Sequence, residues 1–384
     1  MRFELSPEQR EIQALAREVA EAEIEPYAAE WNREHAFPAD LLPKLAEVGL
    51  LGVCVPDELG GAGADFLSYI LVLEQLSRAD AGVGVSVAVH TSAATLPIAT
   101  WGREEQQLEL VPPLARGEQL GAFALTEPGA GSDARSLRTR ARAADGGWYI
   151  DGNKQWITNG GHAGTFVLFA RSEPGISCFV LERDSPGLHV TGEARKLGLH
   201  SSSTTDLVLD GVHAGRDRLL GEEGEGFRIA MTTLDAGRIG IAAQALGIAQ
   251  AAYDLACGYA LERRQFGRRI AEFQAIQWKL ADMATEIDAA RLLVYRAAWL
   301  RDAGRPHGEA GAKAKLFASS VARRHTGEAI EILGGYGYTT EFPAERYYRD
   351  AKVTEIYEGT SEIQRLVIAR SLLGLAERAP AATA

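Results

Sequence analysis

The period of the apolar residues changes twice along this chain, and no other sequence feature limits its fold as tightly. From Leu5 to about Ala115 apolar residues recur at helical spacing. Ser6, Pro7 and Gln9 read as a capping-box start, followed by Ile12, Leu15, Val19 and Ala22. "FPADLLPKLAEVGLLG" repeats the pattern, with Gly49 placed to end its helix. From Gly121 to about Gly224 the chain runs in short strand-like segments: "LRTRARAADGGWYIDGNKQWITNG", then "FVLFA", "SCFVLER", "LHVT" and "TTDLVLDGV". Gly, Pro, Asp or Ser bound each one, and "DGG" and "DGN" are hairpin signals. After "LLGEEGEGF" long helices return. Ile239, Ala242, Ala243, Leu246, Ala249 and Tyr253 share one face, and Ile276, Leu280, Met283, Ile287, Ala290 and Val294 alternate steps of four and three like a bundle seam. The order predicts a multidomain α and β protein. Residues 1–120 form an N-terminal helical domain, 121–225 a central antiparallel β domain (a barrel or sandwich), and 226–384 a C-terminal four-helix bundle. A low-complexity tail, "APAATA", ends the chain.

Composition narrows the function classes. A chain of 384 residues exceeds one ordinary core, and 46% hydrophobic with 24% charged residues is globular usage. The net charge of −12, with no Lys/Arg stripe, argues against nucleic acid, which needs a basic face. Cys54, Cys178 and Cys257 lie far apart without a CxxC, and the eight histidines show no ligand spacing, so no disulfide framework and no metal site is predicted. No apolar run approaches the ~18 residues of a membrane span, and "MRFELSPEQREIQ" reads as a helix rather than a targeting segment. These features predict a soluble protein of a reducing compartment, the cytoplasm.

Several stretches admit both a chemical and a structural reading. "FALTEPGAGSDA" sets Gly129, Gly131 and Ser132 in a turn whose N–H groups suit a phosphate or carboxylate, or that is simply turn chemistry. It lacks GxGxxG between a strand and a helix, so no Rossmann dinucleotide site is indicated. "KQWITNGG" puts Trp156 and Thr158 on one strand face, where they suit a flat heteroaromatic ring or an ordinary half-buried core. Arg263 and Arg264 stand at a helix C-terminus, where cations are favoured with or without a pyrophosphate. Gly334, Gly335 and Gly337 allow close backbone approach to a ligand, or make a loop. In "TEIYEGTSEIQ", Ser361 and Gln364 read as a capping box, which leaves Glu358 unexplained. Near a helix N-terminus its charge is favoured, whereas a base for a weakly acidic C–H needs a pKa tuned toward ~6–7 by burial. Periodicity leaves both readings of Glu358 open.

Taken together, "FALTEPGAGSD", "KQWITNGG", "RQFG", "ILGGYGY" and "RDAKVTEIYEGTSEIQRLVIAR" occur in one order, and over essentially the whole chain the sequence resembles the acyl-CoA dehydrogenase family of flavoproteins. "LDAGRIGIAAQALGIAQAA" is most similar to its short-chain, butyryl-CoA type branch. The resemblance implies FAD between the β domain and the C-terminal helices, a homotetramer with FAD contacts crossing subunits, and a place in fatty acid β-oxidation. By position, Phe123 to Ser132 (Leu125, Thr126 and Gly131 among them) and Trp156, Ile157 and Thr158 would border the cofactor. Arg263, Gln274 and the Glu331–Gly335 loop, Gly334 included, would reach the FAD of a partner subunit. Thr360 and Glu362 would complete the cofactor site. Ser132, Ser202, Asp235, Arg238, Glu358 and Gly359 would border the acyl-CoA. Many relatives carry Gln where this chain has Glu331, so that acid turns away from the phosphates or the contact is lost.

The same resemblance makes Glu358 the base. It would take the pro-R α proton as the β hydrogen leaves as hydride to flavin N5, giving a trans-2-enoyl-CoA. The Glu358 N–H and a ribityl hydroxyl would stabilise the thioester oxygen. Some branches carry the base immediately before the arginine matching Arg238, where this chain has Gly237. The expected acceptor is an electron-transfer flavoprotein. Alternatives are a branched, cyclic or aryl acyl-CoA, an oxidase using O₂, or a non-catalytic relative.

Overall fold

The computed structural model describes residues 4–375, so the "APAATA" tail lies outside the described residues. The N-terminal part is helical: α1 (Pro7–Glu23), α2 (Glu25–Glu34), α3 (Leu41–Glu47), α4 (Phe66–Ala79), α5 (Ala81–Ala88), α6 (Leu96–Trp101) and α7 (Glu104–Ala115). Ser6 caps α1 as predicted, its hydroxyl accepting from the Gln9 N–H while the Gln9 side chain accepts from the Ser6 N–H. Gly49 follows α3 at φ +75°, a left-handed position that glycine takes without a Cβ penalty.

Between α5 and α6 the helical path continues through a π-helical segment, Val89–Thr95. Ala81–Trp101 is therefore one 21-residue helix, long and apolar enough to cross a membrane, contrary to the expectation that no run reaches that length. Its most apolar window is wholly buried inside the fold, so it is a core helix here. Its polar side chains are satisfied internally: Thr91 Oγ1 donates to Leu51 O at 3.1 Å and Ser92 Oγ to Ala88 O at 2.7 Å.

The central part holds β1 (Gly121–Ala124), β2 (Arg140–Ala144), β3 (Gly147–Thr158), β4 (Thr165–Arg171), β5 (Ile176–Glu182), β6 (Leu188–Glu193), β7 (Thr204–Gly215) and β8 (Leu219–Leu220). They form one sheet in the order β6-β7-β3-β2-β4-β5-β8, with β1 beside β4. The β1–β4 and β2–β4 pairings are parallel, which corrects the predicted antiparallel domain to a mixed sheet. Parallel neighbours need a long crossover. The chain between β1 and β4 supplies it by carrying a loop and the β2–β3 hairpin. "DGG" makes that hairpin, with Gly146 at φ +81°. "DGN" does not turn: Asp151–Asn153 lie within β3, at a register slip between Ile150 and Gly152. The glycine serves close approach instead, since a Cβ on it would meet Thr139 Oγ1 at 2.5 Å.

The C-terminal helices are α8 (Gly226–Glu262), α9 (Gln274–Asp302), α10 (Gly308–Leu333), α11 (Ala344–Val353) and α12 (Ser361–Leu372). From Ala236 to Ala249 α8 is buried on every face, wider than the single stripe read from its period. It packs against both α4 and α10, so it is a central helix rather than a surface one. Small residues permit this. A Cβ on Gly247 would stand 2.5 Å from Glu74 O of α4. On α9, Met283, Ile287, Ala290 and Val294 form the buried seam, while Ile276 and Leu280 at its start are half-buried.

Candidate active site

The turn between α11 and α12 carries Tyr357, Glu358, Gly359 and Thr360, and both middle residues are left-handed, at φ +51° and +94°. A non-glycine residue there is strained by about 1 kcal/mol or more, so partners must hold it. They are visible. Gln364 Nε2 donates to Gly359 O at 2.8 Å and reaches Glu358 O at 3.3 Å. Lys315 Nζ, from α10, donates to Gly359 O at 2.6 Å. The Tyr357 hydroxyl donates to Gln244 Oε1 on α8, and Gln244 Nε2 donates to Ala81 O at 2.7 Å. The predicted Ser361–Gln364 capping box is corrected. Thr360 is the cap, accepting from Ile363 N–H, because Gln364 is turned inward to serve the two carbonyls.

Held this way, Glu358 lies over α8. A Cβ on Gly237 would stand 2.0 Å from its Oε2, an atom that is buried without a hydrogen-bond partner among the described residues. Burial pushes the Glu358 carboxyl up to about 7, while the cations of Lys315 and Arg238 pull it down. Arg238 is buried, its Nη1 donates to the Asp235 carboxylate, and its Nε has no partner among the described residues. A carboxyl poised near neutrality, with an unpaired oxygen and no side chain opposite it, is equipped to receive a proton.

A second group surrounds the loop after β1. Leu125 is buried, Thr126 and Phe123 are half-buried, and Gly131 and Ser132 are exposed. A Cβ on Gly129 or Gly131 would meet nothing within 4 Å, so the loop faces open space. It is anchored from behind: the buried Glu127 accepts from Thr139 N–H at 2.9 Å and from the buried Lys154 Nζ at 2.8 Å, and Lys154 also donates to Leu125 O at 3.2 Å. On β3 Ile157 is buried and Thr158 half-buried. Trp156 sits at φ +61°, beside a register slip, with 59% of its surface exposed. It is no half-buried core tryptophan. Ser202 is buried in the turn before β7, its hydroxyl facing Ser203 O at 3.5 Å.

A third group sits elsewhere. Arg263, Gly334 and Gly335 line an open cleft of about 620 Å³ with Tyr259, Gln265 and Tyr336. Gln274 begins α9 and is exposed. Glu331, also exposed, pairs with Lys279 Nζ at 2.7 Å. Along α8, Arg263 is about 37 Å from Arg238 at the helical rise per residue. The Glu358 group and the Arg263 group are therefore separate within one chain. Thr360 and Glu362 stay with the first, in the turn and at the start of α12.

Family models for the acyl-CoA dehydrogenase N-terminal, middle and C-terminal domains match residues 6–118, 122–212 and 224–373. An acyl-CoA dehydrogenase of Bacillus subtilis (strain 168) is 50% identical over 96% of this chain and 99% of its own. The mitochondrial short-chain specific acyl-CoA dehydrogenase of Mus musculus is 48% identical over 96% of this chain and 91% of its own. Butyryl-CoA dehydrogenase from Megasphaera elsdenii superposes with a TM-score of 0.96 at 43% identity, over 97% of this chain and 100% of that one. The chain belongs to the acyl-CoA dehydrogenase family, flavoprotein oxidoreductases that use FAD to dehydrogenate acyl-CoA thioesters. Its residues fit a flavin. An exposed indole offers a flat apolar plane, and the loop of Gly129 and Gly131 leaves backbone room for a phosphate.

Sequence reasoning missed Lys315, Gln244, the inward role of Gln364 and the Glu127–Lys154 pair. Only Lys315 carried a local signal, being a lysine on the buried stripe of Gly311, Ala318 and Ala322.

Proposed function

We propose that this protein dehydrogenates a short-chain acyl-CoA to the trans-2-enoyl-CoA, with Glu358 as the base that removes the pro-R α proton. One observation carries this reading: the buried Glu358 carboxylate over Gly237, whose Oε2 has no hydrogen-bond partner among the described residues and which burial pushes up to about 7. Bound FAD would supply the acceptor for the β hydrogen, which would leave the substrate as hydride. The protein's own part is positional. The left-handed turn ties both the Glu358 and Gly359 carbonyls back to α10 and α12, and the Glu358 N–H has no backbone partner among the described residues, so it is available to a thioester oxygen. Gly359 allows the thioester to approach the backbone, and Ser132, Ser202, Asp235 and Arg238 are the proposed acyl-CoA contacts.

In this reading Phe123, Leu125, Thr126, Gly131, Ser132, Trp156, Ile157 and Thr158 border the flavin and its pyrophosphate, and Thr360 and Glu362 complete that site. Arg263, Gln274, Gly334 and Gly335 serve the FAD of a partner subunit in a homotetramer. Their separation from Glu358 along α8 supports an intersubunit role. The Glu331 side chain is engaged by Lys279, which fits an acid turned away from the cofactor phosphates. The proposed division of the chain stays at 1–120, 121–225 and 226–384. An electron-transfer flavoprotein is the proposed acceptor. In support, a chain from work on the electron transferring flavoprotein of Acidaminococcus fermentans superposes with a TM-score of 0.96 at 47% identity. The free thiols of Cys54, Cys178 and Cys257 support a reducing compartment such as the cytoplasm, and the family supports a place in β-oxidation.

The test is a substrate series: the flavoprotein is mixed without oxygen with butyryl-, octanoyl-, isobutyryl- and phenylpropionyl-CoA while flavin absorbance is followed. Fastest bleaching by butyryl-CoA is expected. A clear win for a longer, branched or aryl thioester would keep the family and overturn the short-chain assignment.

A further inference from the structure

A fully buried lysine is costly unless its ammonium is used. Lys315 lies on the inner stripe of α10 with none of its surface exposed, and the one hydrogen bond of its ammonium among the described residues goes to Gly359 O at 2.6 Å. No carboxylate is within ion-pair reach of it among the described residues, which is unusual for a cation so deeply placed. The atom it does hold belongs to the turn that carries Glu358.

Both residues of that turn are left-handed, and their carbonyls are tied from two sides, by Gln364 of α12 and by Lys315 of α10. The charged and titratable groups facing Glu358 come from every neighbouring element. They are Lys315 from α10, Arg238 with Asp235 from α8, Tyr69 from α4 and Tyr357 on its own turn, with Glu355 and Glu362 flanking Lys315. Arg238 is engaged by Asp235, whereas Lys315 has no carboxylate of its own, and of the two cations Lys315 pulls harder on Glu358.

We propose that Lys315 is a positioning residue for the dehydrogenation: its ammonium fixes the Gly359 carbonyl, and with it the turn that aims Glu358 across Gly237, and it is a cation facing the Glu358 carboxylate from α10. This rests on the reading of Glu358 as the base. Loss of the cation raises the carboxyl's proton affinity, so the pH dependence of proton removal moves upward. A lysine that merely filled space would leave that dependence in place.

The test uses flavin-loaded wild type, Lys315→Met, Lys315→Arg and Glu358→Gln. Two titrations are run: the rate of anaerobic flavin bleaching by butyryl-CoA against pH, and, without substrate, the infrared C=O band of the protonated Glu358 carboxyl, assigned by its loss in Glu358→Gln. In Lys315→Met both midpoints are expected to rise by about one pH unit, the usual effect of removing a close opposite charge. Lys315→Arg is expected to bring them back. Should Lys315→Met not fold, Lys315→Gln keeps a donor for Gly359 O without the charge and is expected to show the same rise. Midpoints unmoved in the uncharged variants, whatever the loss of thermal stability, would overturn the inference. Normal bleaching by Glu358→Gln would instead overturn the base assignment, so the two failures are distinguishable.

Discussion

At the scale of single residues, the site depends on a side chain that is missing. Gly237 gives up its Cβ to the Glu358 carboxylate, and any other residue there must displace an oxygen that would otherwise sit 2.0 Å from it. Gly237→Ala is therefore expected to leave FAD bound but to move the base off its line. Displacement of a reacting group by about 1 Å costs on the order of 10²-fold in rate. Stopped-flow bleaching with butyryl-CoA measures this, and an unchanged rate constant would show that the carboxylate works from elsewhere. The same glycine explains why the Glu358 carboxylate has room to be buried. Its environment on α8 is alanine, glycine and isoleucine, with Arg238 as the adjoining charge, so desolvation dominates.

At the scale of elements, the loop after β1 is held by a buried ion pair rather than by its own turn chemistry. Glu127 and Lys154 meet at 2.8 Å, both buried, and burial brings the Lys154 ammonium down to about 8. Breaking one half strands the other charge, at a cost of about 3–5 kcal/mol. Lys154→Met is expected to lose that much stability in urea and to release FAD more readily, while Glu127→Gln with Lys154→Met recovers a large part. A single variant as stable as wild type would show the pair to be idle. This pair also marks a limit of sequence reading. The change of period told helix from sheet, and quoted motifs picked out Glu358, Trp156 and the loop of Gly129 and Gly131. Strand direction was not legible, because parallel β1–β4 pairing is set by where the chain returns and not by alternation. "DGN" carries the composition of a turn, yet close packing against Thr139 uses its glycine in a strand. Gln364 satisfied a capping pattern that Thr360 fulfils, since the inward carbonyls of the turn compete for its amide. Lys315 and Glu127 act on partners distant in sequence, and spacing says nothing about such contacts.

At the scale of the whole molecule, burial of Glu358 is a collective product. α8 supplies the glycine floor, α10 the lysine, α12 the glutamine, and Tyr69 from α4 closes in from the N-terminal helices. Each region alone would leave Glu358 as a solvated carboxylate near its ordinary value of 4.5. Assembled, they raise it to about 7, so ionised Glu358 accumulates as pH rises through neutrality, and the proposed proton removal is expected to accelerate with it. The separate Arg263 and Gly334 cleft, far along α8, extends the proposed logic to a second subunit. The proposed acceptor of the α proton is a desolvated Glu358. The most direct test is the rate of anaerobic flavin bleaching by butyryl-CoA between pH 5.5 and 9, with Glu358→Gln alongside. The expected result is a wild-type rate that rises with a midpoint near 7, beside a flavin-loaded variant that does not bleach at any pH. A wild-type rate already level at pH 5.5, or bleaching by Glu358→Gln comparable to wild type, would contradict it.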